Sequence, residues 1–155
     1  CIAVVQDTDA ALNLVGKYSR LCKERFQSDH LDEVPFFRYV HVAESEQKAL
    51  KNTKKHVDWI QDIMQWRRNL PNTTEVYVPM QKWIEERNEL PPSDSYISEK
   101  RAFIGTPEAV AEKIMMLKDH GISYFGCNFA MGGLPQEEII KSMKLFEKKV
   151  LPLIS

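Results

Sequence analysis

A chain of 155 residues, 43% hydrophobic and 28% charged, has the size and balance of one ordinary globular domain, which excludes wholesale disorder. Its 21 lysines and arginines against 22 acids leave a formal charge of -1, so no overall field selects nucleic acid or an anionic membrane as partner. No apolar run approaches the ~20 residues needed to span a bilayer and no signal-peptide pattern opens the chain, so the expected compartment is the cytoplasm.

The chain begins Cys-Ile-Ala-Val-Val rather than with Met, from which upstream sequence that was lost, processed or not recorded is expected, and Ile2 to Val5 is a candidate strand. From Asp9 to Phe26, Leu12, Val15, Leu21 and Cys22, with Tyr18 between, approximate helical spacing, and Asp7 or Asp9 can serve as N-cap. Pro35 to Ala43 is dense in Phe36, Phe37, Tyr39, Val40 and Val42, which predicts a strand starting at the proline. Ser45 then caps a long helix to about Asn69, with Ala49, Val57, Ile60 and Met64 on its apolar face and Leu70-Pro71 ending it.

Asn72 to Arg101 reads as an inserted segment, with a short helix-like piece over Met80 to Asn88 and a turn-rich Pro91-Pro92-Ser93-Asp94-Ser95. Asn72-Thr73-Thr74 matches a glycosylation acceptor, but with no secretion signal it reads as a chance match. Thr106, Pro107 and Glu108 form an N-cap, first helical residue and dipole partner for a helix to His120, stopped by Gly121 and buried along Val110, Ile114 and Leu117. Ile122 to Ala130 predicts a strand ending at Met131-Gly132-Gly133. Leu134-Pro135 leads into a final helix, Gln136 to Val150, with Ile139, Ile140, Met143 and Phe146 facing inward.

Strands separated by helices call for a parallel sheet covered on both sides, so the class is α/β. A sheet this small leaves edges and an apolar face to be covered by a partner. Cys1, Cys22 and Cys127 are odd in number and far apart, fitting reduced structural thiols rather than a disulfide framework or a zinc site. Met115 and Met116 read as packing, His30, His56 and His120 as structural, and Lys51 to Lys55 and Lys148-Lys149 as solvated helix faces; no metal site is expected.

Phe103-Ile104-Gly105-Thr106-Pro107-Glu108-Ala109-Val110-Ala111-Glu112-Lys113-Ile114, then Gly121, Gly132-Gly133-Leu134-Pro135, Leu145-Phe146-Glu147 and Val150-Leu151-Pro152, resemble in order and spacing the C-terminal signature of bacterial-luciferase-like flavin-dependent monooxygenases. Arg38-Tyr39-Val40-His41-Val42-Ala43-Glu44-Ser45-Glu46-Gln47-Lys48-Ala49 is similar to that family's penultimate strand and the capped helix after it. The resemblance covers most of 35–50 and 103–152. It implies a (β/α)8 barrel, a fold of about 250 residues, of which residues 1–155 would be the last two or three βα units with an insertion at about 72–101, completed by another chain or by missing sequence.

In such a barrel reduced flavin sits at the mouth formed by the C-terminal strand ends and activates oxygen for attack on a small organic substrate; the protein orients it, excludes water and steers protons. The resemblance therefore implies FMN as cofactor, with F420 or no flavin at all also open, and O2 and a small organic molecule as substrates. The phosphate-gripping residues belong to earlier strands and have no counterpart here. On the last strand Phe125, Cys127 and Phe129 suit the outer face, and Tyr124, Gly126, Asn128 and Ala130 the inner one. On the penultimate strand the resemblance turns Phe37, Tyr39 and His41 inward.

His41, nearest the mouth, is the candidate catalytic residue. Asn128, Gly132 and Gly133 are candidates for the flavin, Tyr39 and Ala130 for the substrate; packing for His41 and a tight turn for the glycines stand beside these readings. Relatives that oxidise sulfonates carry an arginine and a histidine two apart on the inner face. Arg38 and His41 are three apart and cannot share a face, which speaks against sulfonate chemistry. Two further readings remain open: a non-catalytic homodimer of half-barrels without flavin, and an unrelated α/β binding module, the latter unsupported by any glycine-rich phosphate loop.

Overall fold

The computed structural model describes residues 7–69 and 100–155. The expected strand over Ile2–Val5, Cys1, the side chain of Met64, and all but the last two residues of the segment 72–101 lie outside the described residues. Three parallel strands form the sheet: β1, Phe36–Val42; β2, Ala102–Gly105; and β3, Phe125–Asn128. Their order is β2-β1-β3, with Tyr39 opposite Ala102 on one side and Asn128 on the other. The helices are α1 (Thr8–Phe26), α2 (Glu46–Asn69), α3 (Pro107–Asp119) and α4, which starts at Gln136.

The topology follows from the hand of parallel crossovers. The chain moves from β1 to β2 through α2, then back past β1 to β3 through α3. One crossover hand in both directions requires the two helices to lie on opposite faces. They do: α2 packs Ala49, Val57 and Ile60 with Ala102, Ile104, Met131 and Leu134, while Val110, Ile114 and Leu117 of α3 join Phe36, Val40, Val42 and Phe103 on the other face. That second core also takes Ala11 and Val15 of α1, and in it Phe103 stacks on Phe125 with ring centroids 5.5 Å apart. In consecutive barrel units each strand lies beside its predecessor in the chain, so the central place of β1 differs from that expectation.

Burial on both faces accounts for the near-continuous apolar and aromatic run of β1. β2 was not anticipated as a strand, although all four of its residues are buried. β3 is shorter than the expected Ile122–Ala130, because the Asn128 side chain turns back to accept the Ala130 N–H at 3.1 Å and ends the ladder.

The caps behave largely as the sequence reading expects. Thr106 Oγ1 accepts the Ala109 N–H at 3.3 Å with Pro107 in the first turn, Ser45 Oγ accepts from the Lys48 N–H at 3.2 Å, and Gly121 stops α3 at a φ of 80°. Asp7 occupies the N-cap of α1, but its carboxylate takes the Arg101 Nε–H at 2.6 Å instead of a helix N–H. Within α1, Ala11, Val15 and Cys22 are buried while Leu21 is exposed, so the inner stripe is narrower than the spacing suggested.

In α4, helical geometry over Gln136–Leu145 widens into a π turn at Phe146–Val150 before resuming at Leu151–Ile154. Pro152 supplies a cause, since it has no N–H and its ring crowds the carbonyl four residues back. The expected inward set is partly corrected: Ser142, Phe146 and Val150 are buried and Ile139 half-buried, but Ile140 and Met143 are exposed. α4 crosses the end of β1 with Ser142 toward the strand, which turns those two positions outward.

Ser142 completes a ladder that β3 leaves unfinished. Even-numbered N–H groups of β1 point toward β3, as Phe36 N–H to the Tyr124 carbonyl at 2.9 Å shows, but β3 ends opposite Tyr39. The Val42 N–H therefore has no strand acceptor, and Ser142 Oγ accepts it at 2.8 Å. Removing that oxygen strands a buried donor, so Ser142→Ala should lower unfolding free energy by about 1–3 kcal/mol in urea denaturation. An unchanged midpoint would mean the Val42 N–H is satisfied elsewhere.

Candidate functional site

At the C-terminal end of β1 the sheet presents different chemistry on its two faces. Arg38 points to the α1 side, its guanidinium 4.2 Å from the Phe36 ring centroid and its Nη1 donating to the Phe37 carbonyl at 2.8 Å. Burial lowers its pKa to about 10, with Asp7 pulling the other way, so it stays charged at neutral pH. His41 lies on the opposite face against α2. The three-residue spacing thus separates the two side chains as a regular strand requires.

His41 is 1% exposed and belongs to a polar cluster drawn from three elements. Asn52 of α2 places its Nδ2 3.4 Å from His41 Nε2 and donates from the same nitrogen to Glu138 Oε2 of α4 at 3.0 Å. Lys141 Nζ donates to Glu138 Oε1 at 2.7 Å, and Lys48 Nζ to Glu44 Oε2 at 2.7 Å. Asn52, Glu138, Lys141, Lys48 and Glu44 line a cavity of about 40 Å³ with Val42, Ala43, Ser142 and Leu145, room for ordered water or one small group. Among the described residues, His41 Nδ1 has no hydrogen-bond partner.

The charges follow from these contacts. Burial pushes the His41 pKa below its ordinary value, Glu138 raises it and His56 lowers it. The hydrogen bond from Lys141 holds the Glu138 carboxyl below its usual range, and the same bond raises Lys141. At neutral pH the cluster is therefore a neutral imidazole beside a carboxylate that is already neutralised by a lysine.

The other sequence-predicted residues are spread around this end of the sheet. Tyr39 shares the His41 face, half-buried, with its phenol pKa raised by burial. Asn128 stands opposite Tyr39 in register and spends its Oδ1 on the turn to Ala130, which is exposed. Gly132, at a φ of 38°, brings its carbonyl 2.9 Å from His56 Nδ1, and a Cβ there would meet the His56 backbone and the Trp59 ring. That glycine is required by close packing on α2. Gly133, at a φ of 79°, has open space where a side chain would stand.

The structure brings His41 together with two residues the sequence reading did not single out, Asn52 and Glu138. Each sits on a helix at a position indistinguishable by pattern from an ordinary solvated face. Cys127 is half-buried with its thiol pushed up to about 11 by burial, which fits an inert packing thiol. Among the described residues no group of three His, Cys, Asp or Glu side chains could hold a metal, and no helix is long and apolar enough to cross a membrane.

Neither a family model nor a curated protein matches the sequence. Solved structures do match the fold. The chain aligns over its full length with the monooxygenase RslO1 from Streptomyces bottropensis, at 15% identity and a TM-score of 0.59. Over 94% of its length it aligns with the oxygenating constituent of 3,6-diketocamphane monooxygenase from the CAM plasmid of Pseudomonas putida, a type II Baeyer-Villiger monooxygenase in complex with FMN, at 16% identity and a TM-score of 0.59. Apo-MsnO8 matches over 77% at 18% identity and a TM-score of 0.50. The chain spans 35% to 41% of the length of these proteins. At such identities the likeness is one of fold, an α/β arrangement shared with part of larger enzymes.

The depressed His41 pKa makes a signed prediction. A histidine that binds its proton less readily folded than unfolded adds stability above the unfolded pKa, about 6.5, and loses it as pH falls from there toward the folded pKa. Glu138, also depressed, loses its contribution only near and below the carboxylate range, so the two windows separate. Stability measured from pH 7.5 to 5.5 should fall in the native chain and stay flatter in His41→Gln; equal slopes would show that His41 does not titrate differently on folding.

Proposed function

We propose that this chain is the C-terminal portion of a luciferase-like flavin-dependent monooxygenase, contributing the last βα units of a partial (β/α)8 barrel that further sequence or another chain completes. The observation that carries the proposal is the fold likeness over 94% of the chain to a monooxygenase in complex with FMN. The resemblance of the Phe103–Ile114 and Arg38–Ala49 segments to that family points the same way. The substrates would be O2 and a small organic molecule.

The residues at the strand ends fit one edge of a flavin and not the whole of it. Donors suit the carbonyl-bearing ring edge: His41 Nδ1, which has no partner among the described residues, and the amide nitrogen of Asn128. The nearby cations do not suit its phosphate, because Lys48 and Lys141 are each held by a glutamate. Bound FMN would supply the oxygen-activating chemistry. The chain's own contribution would be to exclude water around the end of β1, to present a hydrogen bond from His41, and to leave room above Gly133. Tyr39 and Ala130 would face the substrate. FMN is favoured over F420 on the strength of the FMN-bound likeness alone.

A second reading, a half-barrel homodimer that keeps the fold without flavin, is favoured by one observation. The cavity lined by Asn52 and Glu138, about 40 Å³, is far smaller than the roughly 300 Å³ of an ordinary cofactor pocket.

Size-exclusion chromatography with light scattering, recording flavin absorbance with and without added FMN, separates the two. Flavin that co-elutes with the chain, alone or mixed with a polypeptide supplying the missing barrel units, supports the monooxygenase portion, and His41→Ala, by removing a hydrogen-bond donor, should then cut turnover on the order of 100-fold. A stable flavin-free dimer that ignores added FMN in both settings supports the second reading.

A further inference from the structure

The contact between Asn52 and its two neighbours decides more than packing. A carboxylate at neutral pH only accepts hydrogen bonds, and Glu138 is kept ionised by Lys141, so the Asn52 atom facing Glu138 Oε2 at 3.0 Å must be the amide nitrogen. Rotating the amide would set its oxygen against a carboxylate oxygen. The nitrogen fixed in this way is the atom 3.4 Å from His41 Nε2. An NH2 group only donates, so Nε2 must be the bare, accepting nitrogen. The proton of neutral His41 then resides on Nδ1, the buried atom without a partner among the described residues.

We infer that Asn52, oriented by Glu138, is a positioning residue that locks His41 as the neutral Nδ1–H tautomer, so that the imidazole offers a hydrogen bond from Nδ1 and cannot act there as a base. The inference deepens the proposed monooxygenase reading by fixing what His41 can do: Nδ1 meets a hydrogen-bond acceptor, such as a carbonyl oxygen, and never accepts a proton. A buried N–H left without an acceptor is destabilising, and an acceptor supplied by a ligand would relieve that. The titratable groups bearing on the ring come from two elements: Glu138 from α4, with Lys141 on its far oxygen, and His56 from α2. No group on β1 itself competes for Nε2 among the described contacts.

The test is nitrogen-15 NMR of the side-chain rings in the full chain at neutral pH, without flavin, with His41 distinguished from His30, His56 and His120 by its loss in His41→Gln. The expected spectrum shows a pyrrole-type Nδ1 and a pyridine-type Nε2 for His41. Asn52→Asp places an acceptor against Nε2 and should reverse the pattern to the Nε2–H tautomer with a raised pKa. Glu138→Gln can still turn an amide oxygen toward Asn52 and should keep the native pattern. A native spectrum showing Nε2–H, or an Asn52→Asp protein that folds and retains the Nδ1–H pattern, would overturn the inference. Should Asn52→Asp fail to fold, the native spectrum decides alone. Because no flavin enters this experiment, its failure would leave the FMN co-elution result standing, and the converse holds.

Discussion

β1 is the central strand, paired with β2 along Tyr39–Val42 and with β3 along Phe36–Tyr39 and covered on both faces, and the other described elements take their places from it. β2 binds one edge, β3 the other, and neither strand touches its neighbour except through β1. Parallel pairs need long crossovers, so α2 and α3 are obliged to span the sheet. Because they run in opposite directions across it, they must take opposite faces. A strand held in this way has little freedom to shift register. Its side chains are consequently fixed reference points for any chemistry at its C-terminal end.

That rigidity is put to use asymmetrically. The α1 face is a dry core of aromatic and branched residues, interrupted by Arg38, whose charge is accommodated by the Phe36 ring, a backbone carbonyl and the influence of Asp7. The α2 face instead carries His41 under a short polar arm. Desolvation and the Asn52 contact both favour the neutral ring, so two independent forces agree on its charge. The arm also ties α2 to α4, linking the helices that cover the end of β1. Fold stability and the state of the histidine therefore depend on the same few contacts.

Much of this arrangement was legible in the sequence where local chemistry dictates local structure. Thr106-Pro107 and Gly121 announce α3 because capping geometry needs those residue types, and the aromatic run after Pro35 announces β1. The division of Phe125, Cys127 and Phe129 from Tyr39 and His41 also follows from strand alternation. β2 escaped because four residues leading straight into a capped helix look like the approach to that helix. The central place of β1 escaped because strand order is set by long-range crossovers and leaves no local mark. Asn52 and Glu138 lie 86 positions apart, and only the crossing of α4 over β1 makes them partners. The exposure of Ile140 and Met143 has the same origin, since Ser142 rather than an apolar residue faces the strand.

The pairing of β1 on both edges can be read directly from through-space proton contacts in solution. Backbone contacts are expected from Val40 to Phe103 and from Arg38 to Cys127 in the same molecule, as parallel neighbours on either side of one strand. If β1 instead contacts only one of these strands, or if β2 and β3 contact each other, the strand is not central. The opposed crossovers and the enclosed polar face that holds His41 would then both be wrong.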